Sequence, residues 1–135
     1  MREIRFKAIE INNKKYEDRN GGFTYGYLLG KNFIGERHLC FEIDPNTICQ
    51  FIGLYDIDYK EIYEGDIVEL GKEDSKYYNI PDVPYTVIYS NKFAGFFLRR
   101  LDTDKEERDY LRDISANIVK KYKIKIIGNI YESRK

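Results

Sequence analysis

Gln50-Phe51-Ile52-Gly53-Leu54-Tyr55-Asp56-Ile57-Asp58-Tyr59-Lys60-Glu61-Ile62-Tyr63-Glu64-Gly65-Asp66-Ile67-Val68-Glu69-Leu70 is the stretch that decides the fold. Phe51, Ile52 and Leu54 are strand formers, and Ile67, Val68 and Leu70 restart the apolar pattern after a polar interval. Glu64-Gly65-Asp66 reads as a tight turn, because glycine reaches positive φ without a steric penalty. Asp56 to Lys60 reads as the tip of a connection, since an aspartate can accept hydrogen bonds from the backbone just ahead of it. Two acidic turns joined by strands of about five residues suit a small antiparallel barrel better than a parallel sheet.

The flanks carry the same signature. Residues 3–11 alternate, with Ile4, Phe6 and Ala8 on one face and Arg5 and Lys7 on the other, the mark of a half-buried strand. Phe23 to Leu29 is rich in strand formers, and Gly26 and Gly30 suggest a bulge or a close backbone approach. Residues 38–43 and 47–54 surround Asp44-Pro45-Asn46-Thr47 and predict a hairpin. Pro81 and Pro84 fix an extended connector. Tyr85 to Tyr89 and Phe93 to Leu98 predict a second hairpin, with Gly95 at a bulge. Thr103 and Glu106 match a capping box, and Tyr110, Leu111, Ile114 and Ile118 follow at helical spacing, which predicts a helix near 104–115. Lys123 to Tyr131 alternates as a closing strand.

The run Gly53-Leu54-Tyr55-Asp56, then Lys60-Glu61-Ile62-Tyr63-Glu64-Gly65-Asp66-Ile67-Val68, resembles the signature of the YopX family of phage and prophage proteins. The opening Met1-Arg2-Glu3-Ile4-Arg5-Phe6-Lys7-Ala8 and the closing Ile126-Ile127-Gly128-Asn129-Ile130-Tyr131-Glu132 resemble that family's first and last strands. The family usually has Asn-Gly where this chain has Asp58-Tyr59, and Trp where it has Ile9. The resemblance implies an SH3-like barrel in the C-terminal portion, and it implies no activity. The expected architecture is therefore mainly antiparallel β. Residues 1–48 form an N-terminal β extension, and 49–135 an SH3-like barrel with one inserted helix.

Composition narrows the function classes. A 135-residue chain with 42% hydrophobic and 34% charged residues is globular rather than disordered. At this length a core forms without a metal or disulfide. Lys+Arg and Asp+Glu are equal at 23 each, so no global field draws the chain to nucleic acid or an anionic membrane. Cys40 and Cys49 read as free thiols of a reducing compartment, although a bridge is geometrically conceivable. With neither a secretion signal nor a membrane-length apolar run, the expected location is the cytoplasm of a bacterial host.

Candidate chemistry is sparse. Asp56, Asp58, Glu61, Glu64 and Asp66 would need to converge on one point to hold a divalent cation. As a calcium loop the stretch fails, with Lys60 at a ligand position and Ile67 where a bidentate Glu is required. His38 is the only histidine, too few with two cysteines for a zinc centre. No catalytic residue, metal or cofactor is assigned. The unusual feature is 13 Tyr and 8 Phe with no Trp. Tyr25, Tyr27, Tyr77, Tyr78, Phe93, Arg99 and Arg100 are the candidate interaction residues, since tyrosine serves protein interfaces and aromatic–cation pairs stack bases. The leading expectation is a non-catalytic protein-interaction module, self-associating or binding a host or phage protein. A nucleic-acid-binding barrel, drawing on Arg99, Arg100, Lys120 and Lys121, is the alternative, and a metal-dependent enzyme using the acidic turns a second.

Overall fold

A computed structural model of the chain describes residues 4–11, 22–71, 83–105 and 111–131. It is mainly antiparallel β, with a single α-helix among the described residues. No helix among them is long and apolar enough to cross a membrane. The chain divides into two compact units, Met1–Gly53 and Leu54–Lys135.

The first unit holds β1 (Phe6–Ile9), β2 (Phe23–Leu29), β3 (Phe33–Glu36), β4 (Leu39–Glu42) and most of β5 (Cys49–Tyr55). Their order is β4-β3-β2-β1-β5. The hairpin expected from 38–43 and 47–54 does not form: β4 pairs with β3, and β5 with β1. The reason lies in the connection. Asp44 caps a single 3-10 turn at Pro45–Thr47 by accepting the Asn46 N–H, and Thr47 Oγ1 then accepts the Ile9 N–H at 2.8 Å. That turn is fastened to the end of β1, so β5 is laid against β1 instead of β4. The sheet also curls until Ile43, just past β4, bridges Glu10, just past β1. Ala8, Ile34 and Ile43 fill the interior, with Phe6, Leu28 and Ile48 packed around them.

The outer side of β1 is not the solvent face its charges suggest. Lys7 is only 6% exposed, and its ammonium lies 4.5 Å from the centre of the Phe23 ring. The Arg5 guanidinium covers the Phe51 ring at 5.1 Å. The methylene stems and cation–π contacts of these two residues let charged side chains roof an aromatic layer.

In the second unit β6 (Glu61–Tyr63) stands next to β5 in strand order. The other sheet contains β7 (Asp66–Glu69), β8 (Tyr85–Ser90), β9 (Gly95–Arg100), β10 (Leu111–Asp113) and β11 (Lys125–Asn129), in the order β10-β9-β8-β7-β11. Cross-strand pairs Val87–Leu98 and Val68–Tyr85 are fully buried at its centre. The β8–β9 hairpin forms, but its return strand starts at Gly95 and not at the expected Phe93, which lies in the turn. Its register runs unbroken from Ser90–Gly95 to Tyr85–Arg100, so Gly95 makes no bulge, and the irregularity lies in β11 between Ile126 and Gly128. The portion expected to close as an SH3-like barrel is an open sheet among the described strands, since β10 and β11 stay at opposite ends of the order.

Of the helix expected near 104–115, residues 106–110 lie outside the described residues. Thr103 Oγ1 does accept a backbone N–H, from Lys105, but residues 103–105 are not helical and Leu111–Asp113 pair with β9 as a strand. The α-helix, α1, covers Ala116–Tyr122. Ser115 caps it by accepting the Ile118 N–H, and Lys123 ends it in the left-handed conformation. Two substitutions test these local readings. Gly26 has φ +155°, and a Cβ there would collide with the Gly35 carbonyl, so Gly26→Ala should cost about 2 kcal/mol or more of unfolding free energy. Ser115→Ala should cost about 1 kcal/mol by loss of the cap. Urea titration followed by circular dichroism measures both.

Candidate functional site

The acidic turns of the central stretch are the first place to look for chemistry, and each carboxylate has a definite position. Asp56 is 3% exposed. Its Oδ1 accepts the N–H groups of Asp58 and Lys60, each at 2.9 Å, and its Oδ2 accepts the Ile126 N–H at 3.0 Å. Asp66 is 2% exposed, with Oδ2 on the Tyr63 N–H at 2.7 Å and Oδ1 on the Asn129 amide at 3.0 Å. The Glu61 carboxylate accepts the Tyr63 hydroxyl at 3.1 Å, and the Asp58 side chain is exposed. Each oxygen of the two buried carboxylates thus accepts at least one backbone or amide donor. Among the described residues no three Asp, Glu, His or Cys side chains gather as a metal would require. Spacing alone shows both aspartates at turns, but not that each reaches β11 some sixty to seventy positions later.

The aromatic and basic candidates are scattered. Tyr25 and Tyr27 share β2 in the first unit. Phe93 lies in the turn of the β8–β9 hairpin, edge-on to Phe97 at 5.9 Å and beneath the Lys92 ammonium. Arg100 is engaged with Asp102 at 2.6 Å. The hydrogen bonds from Arg100 hold the Asp102 carboxyl below the usual carboxylate range. Arg99 is half-buried, its Nε without an acceptor, opposite Thr86, whose buried hydroxyl also lacks a partner. Tyr77 and Tyr78 lie outside the described residues. Cys40 is exposed and Cys49 buried, both as free thiols, and the Cys49 thiol donates to the Thr47 carbonyl.

Two surfaces remain with something to offer. In the first unit Tyr27, Leu29 and Phe33 are 56%, 51% and 40% exposed. Leu29 pairs directly with Phe33, and Tyr27 lies two residues before Leu29 on the same side of β2, so the three share one outer face. Sequence reasoning singled out Tyr27 but missed its neighbours, because Leu and Phe in a strand read as core. In the second unit a cavity of about 530 Å³ opens beside β10 and α1, lined among others by Leu70, Phe97, Leu111, Arg112, Asp113 and Tyr122.

With this geometry in view, the comparison with known proteins is brief. The family model described as YopX protein matches residues 6–135. No curated protein matches the chain. The structural reading of the acidic turns makes a direct prediction. Asp56→Ala strands three backbone donors and should lower the unfolding free energy by about 3 kcal/mol or more, since each orphaned donor costs about 1–3 kcal/mol. Urea denaturation checks it, and a loss within about 0.5 kcal/mol, typical of an uninvolved surface site, contradicts it.

Proposed function

The chain belongs to the YopX protein family, and from that premise we propose that it is a phage- or prophage-encoded interaction module. It works without catalysis in the bacterial cytoplasm, by binding a host or phage protein. The observation that supports this most is the outer face of β2 and β3, where Tyr27, Leu29 and Phe33 stand exposed side by side. Large apolar side chains grouped on one sheet face carry an aggregation cost in a solitary protein and a gain in a bound one. Tyrosine adds a hydroxyl that keeps such a face wettable when free and hydrogen-bonded when covered.

The two other readings have less behind them. A nucleic-acid surface would draw on Arg99 and Arg100, but Arg100 is already paired with Asp102 and the formal net charge is zero. A metal-dependent enzyme would draw on Asp56 and Asp66, whose oxygens are occupied by N–H donors.

Affinity capture with tagged full-length protein from infected or lysogenic cells tests the proposal. The expected result is one reproducible protein partner, lost by at least about tenfold with the double variant Tyr27→Lys, Leu29→Lys, because burying unpaired ammonium groups in an apolar contact is costly. Recovery of nucleic acid with steep salt dependence would replace this reading with the second. A rise in melting temperature with millimolar magnesium or manganese would replace it with the third.

A further inference from the structure

Cross-strand partners in a sheet point to the same face, and so do residues two apart along one strand. By that rule Val68 of β7, Tyr85 and Val87 of β8, Leu98 of β9 and Arg112 of β10 share one face of the second sheet. The first four are at most 1% exposed, so this is the face that carries the core. The row Val87–Leu98–Arg112 therefore runs from two buried apolar side chains to a guanidinium. Arg112 is half-buried there. A cation drawn toward a core is costly unless an acceptor of opposite charge meets it.

No such acceptor is present among the described residues. Arg112 makes one long contact, from Nε to the Tyr85 hydroxyl at 3.4 Å, and no carboxylate among the described residues bridges it. Asp113, next in sequence, is exposed and shares the opposite face with Phe97. What Arg112 does line is the cavity of about 530 Å³, a volume within the range of small-molecule pockets. Leu98 contributes to that cavity from the sheet, and Ile118 and Tyr122 contribute from α1. Leu98 is fully buried and Tyr122 is 8% exposed, so this part of the wall is continuous with the core. The space thus combines a dry apolar wall with a half-buried cation that has no counter-charge.

We propose that this cavity is a binding site for a small monocarboxylate with an apolar body, an aryl or medium-chain aliphatic acid. The terminal N–H groups of Arg112 take the carboxylate, since the planar guanidinium fork matches two carboxylate oxygens. The Tyr85 hydroxyl touches only Nε and leaves those groups to the ligand. The hydrocarbon body lies against Leu98, Leu111, Ile118 and Tyr122. Charge sets the upper limit on the anion. Asp113 also lines the cavity, and its carboxylate has no cation partner among the described residues. A phosphate dianion would feel that repulsion twice over, whereas a monocarboxylate carries a single charge and can direct it to Arg112. This site lies in the second unit and the outer face of β2 and β3 in the first, so the failure of either leaves the other standing.

The test is an NMR titration of the full-length, isotope-labelled protein with hydrocinnamate and with octanoate. Hydrocinnamide serves as the uncharged match and phenyl phosphate as the dianion. Both acids should give saturable backbone amide shifts centred on Leu98, Leu111–Asp113 and Ile118–Tyr122. The amide should bind at least about tenfold more weakly than hydrocinnamate, because hydrogen bonds to a charged group are worth roughly that factor or more. Phenyl phosphate should also bind more weakly than hydrocinnamate. Arg112→Gln should bring acid and amide within about twofold of each other, and Arg112→Lys, which keeps the charge but loses the fork, should retain part of the preference. Absence of saturable shifts with either acid overturns the proposal. So do shifts centred on Tyr27, Leu29 and Phe33, equal binding of acid and amide, tighter binding of phenyl phosphate, or a preference that survives Arg112→Gln. Should that variant fail to fold, the comparison of acid, amide and phosphate on the unaltered protein decides alone.

Discussion

Asp56 accepts three backbone N–H groups with one buried carboxylate, two from its own turn and one from β11. Asp66 repeats the device, holding the Tyr63 N–H of its own turn and the Asn129 amide of β11. A short charged group that is well supplied with donors is a strong local organiser, because its hydrogen bonds are charge-assisted and exclude water together. The final strand contributes its own half of this arrangement: Asn129 Oδ1 receives the Tyr131 N–H, and the Ile130 N–H reaches the Gly65 carbonyl. The two turns that look most like chemistry in the sequence are thus the fastenings of the second unit's last strand.

The first of these fastenings covers one end of the second sheet. By holding Ile126, the Asp56 carboxylate covers β11, and the Ile57 N–H donates to the Ile124 carbonyl immediately before it. β10, at the far end, receives no such cover among the described residues and contributes to the wall of the cavity. Tyr59 marks the tip of the first fastening. It holds φ +63°, a conformation that glycine and asparagine take more readily. The bonds from Asp58 and Lys60 to Asp56 on either side keep it there. The Asn-Gly usual in the resembled turn satisfies the same backbone requirement at lower strain.

Much of the fold was legible because period-two alternation and turn chemistry are local. β1, β2 and β8 sit where their patterns place them, β9 runs two residues later than its pattern suggests, at Gly95–Arg100, and Gly26 is a close approach as its setting suggests. What was not legible depends on distant partners. The Asp44-Pro45-Asn46-Thr47 turn is a good hairpin signal, but Thr47 bonds Ile9 and the chain pairs elsewhere. Leu111 and Ile118 share a helical spacing, yet the first is claimed by β9 and only the second by α1. Lys7 alternates like a solvent residue, and only the Phe23 ring beside it reveals that it is covered. The outer face of β2 and β3 was half visible: a tyrosine draws attention, while Leu29 and Phe33 look like any core residues until their exposure is known.

The account depends on the two aspartates acting as structural clasps. Native-state hydrogen exchange reads this most directly, through the amides of Asp58, Lys60, Tyr63 and Ile126. Asp58 and Lys60 lie in an exposed turn whose amides would ordinarily exchange by local fluctuation. If the carboxylates hold the unit together, all four amides exchange only with global unfolding of that unit, at one common free energy. Exchange of Asp58 and Lys60 at the rate of a free loop, with the rest of the second sheet still protected, would contradict it.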